Sequence, residues 1–161
     1  MIYRRAIKSE ISELVELRKK QLIDEGLEPK DNIDFELEEF FESTMEKGLL
    51  IQYVAIEDNI IIATGGVCFY NLPPSYSNIS GKTAYITNMY TKDEYRGRGI
   101  ATKLLNLLVD EVKRNGCKVI KLQASIHGKP VYKKFGFKEA EGHMIMRIWL
   151  IQCTTETMHN A

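Results

Sequence analysis

Apolar and polar positions recur along this chain with a changing period, and each change marks a predicted element. Ile2 to Ile7 reads as a short strand. Ser9 is placed to cap a helix in which Ile11, Leu14, Val15, Leu17 and Leu22 recur at helical spacing until Gly26. Pro29 to Asn32 connects to a second predicted helix, capped by Asp34, that carries Phe35, Leu37, Phe40, Phe41 and Met45 as far as Gly48. Leu49 to Ile56 and Ile60 to Tyr70 are rich in β-branched and aromatic residues, and the short Glu57-Asp58-Asn59 link makes them a hairpin. Gly65-Gly66 inside the second run predicts a bulge or a close approach of another backbone or ligand. Thr83 to Tyr90 is another strand. Apolar residues at 100, 101, 104, 105, 107, 108, 109 and 112 then form one helix face, with Lys103, Asn106, Asp110, Glu111, Lys113 and Arg114 on the other. Lys118 to Ala124 is a buried-looking strand, and Val131 to Phe135 a short helix behind Pro130, stopped by Gly136. Phe137 opens a further strand, and His143 to Ile151, with Trp149, is a final one. The order predicts one mixed α/β domain (α+β mixed) over residues 1–151, followed by a polar tail over 152–161.

Composition narrows the picture. The chain has 161 residues, 44% of them hydrophobic, enough for one domain with a real core. Twenty-two basic residues balance twenty-two acidic ones, so net charge recruits neither nucleic acid nor an anionic membrane surface. No apolar run approaches the roughly 20 residues of a membrane span, and the start reads as a strand, not a signal core. The three cysteines, 68, 117 and 153, are scattered, as are the histidines at 127, 143 and 159. Reduced thiols in a cytoplasmic protein without a metal site are the expectation.

The chemistry concentrates between the strand ending Met89-Tyr90-Thr91 and the helix starting near Ile100. The turn between them holds Arg96-Gly97-Arg98-Gly99. Glycines let a ligand approach the backbone, and the first N–H groups of a helix lack partners within it. With the helix dipole behind them they suit a phosphate or pyrophosphate. The nucleotide P-loop pattern fails, because Lys103 follows Thr102 instead of preceding it. The dinucleotide fingerprint fails as well, because Thr102 stands where its third glycine or alanine belongs.

What fits is Arg96-x-x-Gly99-x-Ala101 behind a strand, which resembles the acetyl-CoA signature of the GNAT superfamily of N-acetyltransferases. A second stretch agrees: Tyr132-Lys133-Lys134-Phe135-Gly136-Phe137 matches that family's Tyr-x-x-x-Gly-Phe, with Ser125 where asparagine is usual. Thr91-Lys92-Asp93-Glu94 replaces the frequent Val-x-Pro. The order of elements is similar to the GNAT fold over about residues 1–151. The resemblance implies a central, mostly antiparallel mixed sheet with a splayed central strand pair and helices on both faces. It implies that backbone groups at Met89, Tyr90 and Thr91 pair with the pantetheine of acetyl-CoA. It also implies that the turn and helix start (Arg96, Gly97, Arg98, Gly99, Ile100, Ala101 and Thr102) hold the pyrophosphate, with Ser125 touching the cofactor. By the same resemblance Tyr132 is the general acid, the Met89 N–H faces the thioester oxygen, and the last strands pair in a homodimer.

The function so implied is transfer of acetyl from acetyl-CoA to a primary amine. Balanced charge and the one long loop, residues 71–82 with its two prolines, tilt the acceptor toward a small molecule. Candidate acceptor-side residues are Asn88, Tyr85, Tyr76 in that loop, and Glu39 on the acidic face of the second helix. Glu39, His127, Asn88 and Tyr85 are also the candidates for a base acting through water, and an amine that binds neutral needs none. The competing readings are a non-catalytic coenzyme A sensor or partner-binding module, a protein or peptide acceptor, a hydroxyl acceptor and a longer acyl chain.

Overall fold

The computed structural model describes residues 1–140, 142 and 144–147. Its elements run β1 (Ile2–Arg5), a 3₁₀ turn, α1 (Ile11–Asp24), α2 (Asp34–Glu46), β2 (Leu50–Glu57) and β3 (Ile60–Asn71). β4 (Lys82–Thr91), a second 3₁₀ turn, α3 (Ile100–Arg114), β5 (Val119–Leu122) and α4 (Lys129–Phe135) follow. The strands lie side by side in chain order, antiparallel except for β4 and β5. Parallel neighbours need a crossover, and α3 supplies it.

The alternation of side chains along the strands divides the core by face. On one face Tyr53, Ala55, Val67, Ala84 and Ile86 meet Ile100, Leu104, Leu105, Leu108 and Val112 of α3, with Tyr132 and Phe135 of α4 beside them. On the other, Leu50, Val54, Ile61 and Tyr90 meet Leu14, Val15 and Leu17 of α1 and Phe41 of α2. The sheet thus carries helices on both faces. Each fully buried aliphatic side chain contributes about 1.5–3 kcal/mol.

Several local expectations are corrected by geometry. The Ser9 cap is replaced by a 3₁₀ turn over Lys8–Glu10, where the Glu10 carboxylate accepts from the Ile7 N–H at 2.9 Å and from Arg4. At α2 it is Asn32 Oδ1, two residues before the predicted cap, that accepts the Asp34 N–H at 2.9 Å. The β2–β3 turn is formed by Asp58 and Asn59, both at positive φ (50° and 62°), as a twisted two-residue hairpin turn requires. Glu111, read as an outer-face residue of α3, is 2% exposed. Its carboxylate accepts from Arg5 Nε at 2.9 Å and from the Tyr53 hydroxyl at 2.8 Å, and pairs with Arg114, so α3 is tied to β1 and β2. β5 is shorter than predicted. The strand predicted from Phe137 is not formed over 137–140, and 144–147 are likewise without regular structure. The rest of the final predicted strand, with His143, Trp149, Cys153, His159 and the tail, lies outside the described residues.

Candidate acetyl-group transfer site

The turn into α3 has the backbone the sequence calls for. Gly97 and Gly99 sit at φ 78° and 75°, the left-handed region that costs a side-chain-bearing residue roughly 1–2 kcal/mol. A Cβ at either position would meet nothing within 4 Å, so the space over the turn is open. The N–H groups from Gly97 to Thr102 find no acceptor among the described residues, since the first backbone bond beyond the turn runs from Lys103 N–H to Gly99 O. No acidic residue occupies the first turn of α3. The helix dipole therefore meets no protein carboxylate there, which leaves the site suited to an anion.

The two arginine side chains of the turn are engaged elsewhere. Arg96 donates through Nε to the Thr91 carbonyl at 3.0 Å, pairs with Asp24 and Asp93, and lies 5.7 Å from the centroid of the Tyr90 ring. Arg98 reaches Glu57 at 3.3 Å and stacks over Tyr95 at 5.0 Å. They clamp the turn to the end of α1 and to the β2–β3 hairpin, so in this conformation the anion site consists of backbone amides.

β4 leads into this turn along an open edge. Its pairing with β5 covers only Thr83–Ile86 against Val119–Leu122, and β4 then runs on to Thr91 with no strand on that side among the described residues. On its other side the register slips: Thr64 faces Tyr90 but Gly66 faces Thr87, so Asn88 and Met89 together oppose Gly65. The bulge predicted at the paired glycines is therefore carried by β4, and the glycines make room for it. A Cβ on Gly65 would stand 2.6 Å from Met89 Sδ, and one on Gly66 would overlap the Gln52 amide. The extra residue reverses the pleat, sending Met89 toward α3 and Tyr90 into the α1 face. Asn88 takes the positive φ of 53° that this needs, a conformation asparagine tolerates better than most residues. Buried to 5% exposure, it donates through Nδ2 to Gln52 Oε1 at 3.3 Å, while the Gln52 amide donates to Thr64 Oγ1.

Tyr132 projects from α4 onto the α3-side core, against which Met89 also packs. Ser125 Oγ accepts the Gly128 N–H at 3.1 Å and Ser125 O accepts the Lys129 N–H at 2.9 Å, which fixes the turn that launches α4. The Tyr132 ring packs edge-on to Phe137 with centroids 5.9 Å apart. Burial, then the charges of Glu25 and Tyr85, push its hydroxyl up to about 12. It therefore holds its proton throughout the neutral range.

Met89, Tyr90 and Thr91 end β4 just ahead of the 96–102 turn, which Arg96 ties back to the Thr91 carbonyl, and Tyr85 and Tyr132 lie within electrostatic reach of each other. Met89 and Tyr90 present only backbone at the β4 edge, because their side chains enter opposite cores. Ile100 is buried in the core, while Thr102 is exposed. Glu39 is an exposed residue of α2, Tyr76 is fully exposed at the tip of the 72–81 loop, and His127 is exposed before α4; none has a described contact with Tyr132. Sequence reasoning missed Arg18 and Gln21 of α1 and Glu25 at its C-cap, which continue the stripe of buried Leu14. Polar residues on an otherwise core-facing helix stripe were the available signal. It also missed Gln52, a polar residue in phase with buried Leu50 and Val54.

A profile of the Acetyltransferase (GNAT) family matches residues 11–137. The chain belongs to the GNAT acetyltransferase family. A predicted acetyltransferase of Clostridium acetobutylicum, crystallised with acetyl-CoA, is 46% identical to this GNAT protein, with a TM-score of 0.89 over 91% of this chain and 95% of that one. An uncharacterized N-acetyltransferase of Methanocaldococcus jannaschii is 32% identical over 78 residues, which are 46% of this chain and 33% of that protein. The thialysine N-epsilon-acetyltransferase of Bos taurus is 34% identical over 74 residues, 42% of this chain and 44% of the enzyme. The chain thus spans less than half the length of these two curated relatives. Among the described residues no helix is long and apolar enough to cross a membrane, and no three potential metal ligands cluster.

Proposed function

We propose that this GNAT protein transfers the acetyl group of acetyl-CoA directly to a primary amine of a small molecule. The observation that carries this reading is the run of N–H groups from Gly97 to Thr102 that have no partner among the described residues, open to approach and following the edge of β4 that no described strand pairs. These features fit coenzyme A: the amides for its pyrophosphate, and the Met89–Thr91 edge for the peptide-like pantetheine arm. Likeness to a protein crystallised with acetyl-CoA supports the same assignment. That the bovine relative is named for an amino acid's side-chain amine favours a small acceptor over a protein one.

The co-substrate supplies the activated acetyl thioester, and the chain's residues supply position and a proton. A neutral amine nitrogen forms the new C–N bond, the C–S bond breaks, and the nitrogen's surplus proton leaves to water. Tyr132 gives its hydroxyl proton to the departing thiolate sulfur and regains one from solvent. Ser125 acts at one remove, by holding the turn from which Tyr132 projects.

A thiol-release assay with acetyl-CoA against small amines, aminoglycosides, amino acids and peptides tests the reading. Turnover with a small amine that is lost in Tyr132→Phe is the expected result. Tight coenzyme A binding with no turnover in any class would instead make this a coenzyme A-binding module.

A further inference from the structure

Among the described residues, the half-buried Arg18 stands without a carboxylate partner. Arg4, Arg5, Arg96, Arg98 and Arg114 each pair with a carboxylate. Arg18 is more enclosed than most of these, yet it has no ion pair and no hydrogen bond among the described residues. Holding an unpaired guanidinium away from water is unfavourable, and burial lowers the pKa of Arg18, with Glu25 and the Tyr85 hydroxyl opposing the shift.

Arg18 does not stand alone. Gln21, one turn further along α1, is 7% exposed, and its Oε1 is buried with no donor among the described residues. Its other amide atom, Nε2, donates to Glu25 Oε1 at 3.0 Å, which fixes the amide's orientation. One face of α1 and its C-cap therefore carries in succession a cation and an acceptor without partners among the described residues, then a carboxylate, with Tyr85 and Tyr132 in their electrostatic neighbourhood. A guanidinium matches a carboxylate through its paired N–H groups, whereas a carboxylate beside an amide oxygen matches an ammonium.

We propose that α1 reads the head group of a free amino acid: Arg18 takes its carboxylate, and the Gln21–Glu25 pair takes its α-ammonium. The side-chain amine is thereby directed toward Tyr132 as the acetyl acceptor. The inference rests on the acetyl-transfer reading above and narrows its acceptor to a diamino acid.

The test is calorimetric titration of the coenzyme A-saturated protein with matched probes. These are lysine against 1,5-diaminopentane, ornithine against 1,4-diaminobutane, and glucosamine 6-phosphate against glucosamine. At least one amino acid is expected to bind ten-fold or more tightly than its decarboxylated partner. Arg18→Gln should reduce that ratio to about two, Arg18→Lys should restore part of it, and Glu25→Gln should weaken the amino acid but not 6-aminohexanoate, which lacks the α-ammonium. Coenzyme A affinity and melting temperature of each variant report on folding. Equal binding of acid and amine, a ratio untouched by Arg18→Gln, or a preference confined to the phosphate pair would overturn the assignment. Binding with these ratios but without acetylation would sustain the Arg18 assignment and overturn acetyl transfer.

Discussion

Tyr132, the proposed general acid, shows how surroundings set the protonation of one hydroxyl. Burial raises its pKa to about 12, with Glu25 and Tyr85 adding to the shift. A phenol so placed keeps its proton at every pH at which the enzyme would be assayed. Tyr132→Phe should lower kcat about 10²–10⁴-fold, measured by thiol release at saturating substrates, with coenzyme A affinity little changed. In the wild type the alkaline side of the kcat profile should show no loss from this group up to about pH 10, because the proton leaves only near 12. A fall centred nearer pH 9 would mean that another group is the acid. Gln52 is decided equally locally. The absence of a Cβ at Gly66 admits its amide, so Gly66→Ala should destabilise the fold by about 1–3 kcal/mol in urea titrations. The same change in a Gln52→Ala background should cost clearly less, because the overlap is then gone.

At the scale of elements, α3 matters through both of its ends. Gly99 opens it at φ 75° and Gly116 closes it at φ 71°, and a Cβ at either would meet nothing within 4 Å. The stability cost of Gly→Ala should therefore be similar at the two positions, about 1–2 kcal/mol. Their effects on ligand should differ. Only Gly99 lies among the unpartnered N–H groups, so Gly99→Ala should weaken coenzyme A binding about ten-fold by calorimetry, roughly 1.4 kcal/mol, while Gly116→Ala leaves it unchanged. Equal losses would place the ligand elsewhere. The β4 bulge works at the same scale: one extra residue turns the strand's pleat over and lets it serve both cores, beside an edge that no described strand pairs.

For the whole molecule, Glu111 is the charged group that holds layers together, joining α3 to β1 and β2 through Arg5 and Tyr53. Burial alone would raise its carboxyl, but Arg114, Arg5 and Tyr53 outweigh this and hold it below the ordinary carboxylate value. A carboxyl depressed in the native state binds a proton in the unfolded chain first as pH falls. Its contribution is therefore fully present above the ordinary carboxylate range and is lost as pH drops through the lower native value. Glu111→Gln should lower stability at neutral pH by about 1–3 kcal/mol and flatten the acid limb of a plot of urea midpoint against pH. An acid limb as steep as wild type would show that other carboxylates govern acid unfolding.

The sequence alone determined the order of the elements through β5 and α4, the Gly-rich turn, the place of Tyr132 on a short helix and the family, because each rests on periodicity or on residues close together in the chain. Hydrophobic spacing is a local signal, and so is the need for glycine at positive φ. The long-range decisions belonged to the tertiary structure. Glu111 reads as surface by its helical phase, and only the approach of Arg5 and Tyr53, more than fifty residues distant, makes its burial tolerable. The bulge passed from the glycines to the strand opposite because a register shift is a property of two strands at once. The ion pairs of Arg96 with Asp24 and of Arg98 with Glu57 join residues far apart in the chain, and no local pattern announces them. Arg18, Gln21 and Glu25 became a candidate recognition face only when α1 was laid against β4. Their shared neighbourhood with Tyr85 and Tyr132 joins residues more than a hundred positions apart, which no local pattern encodes.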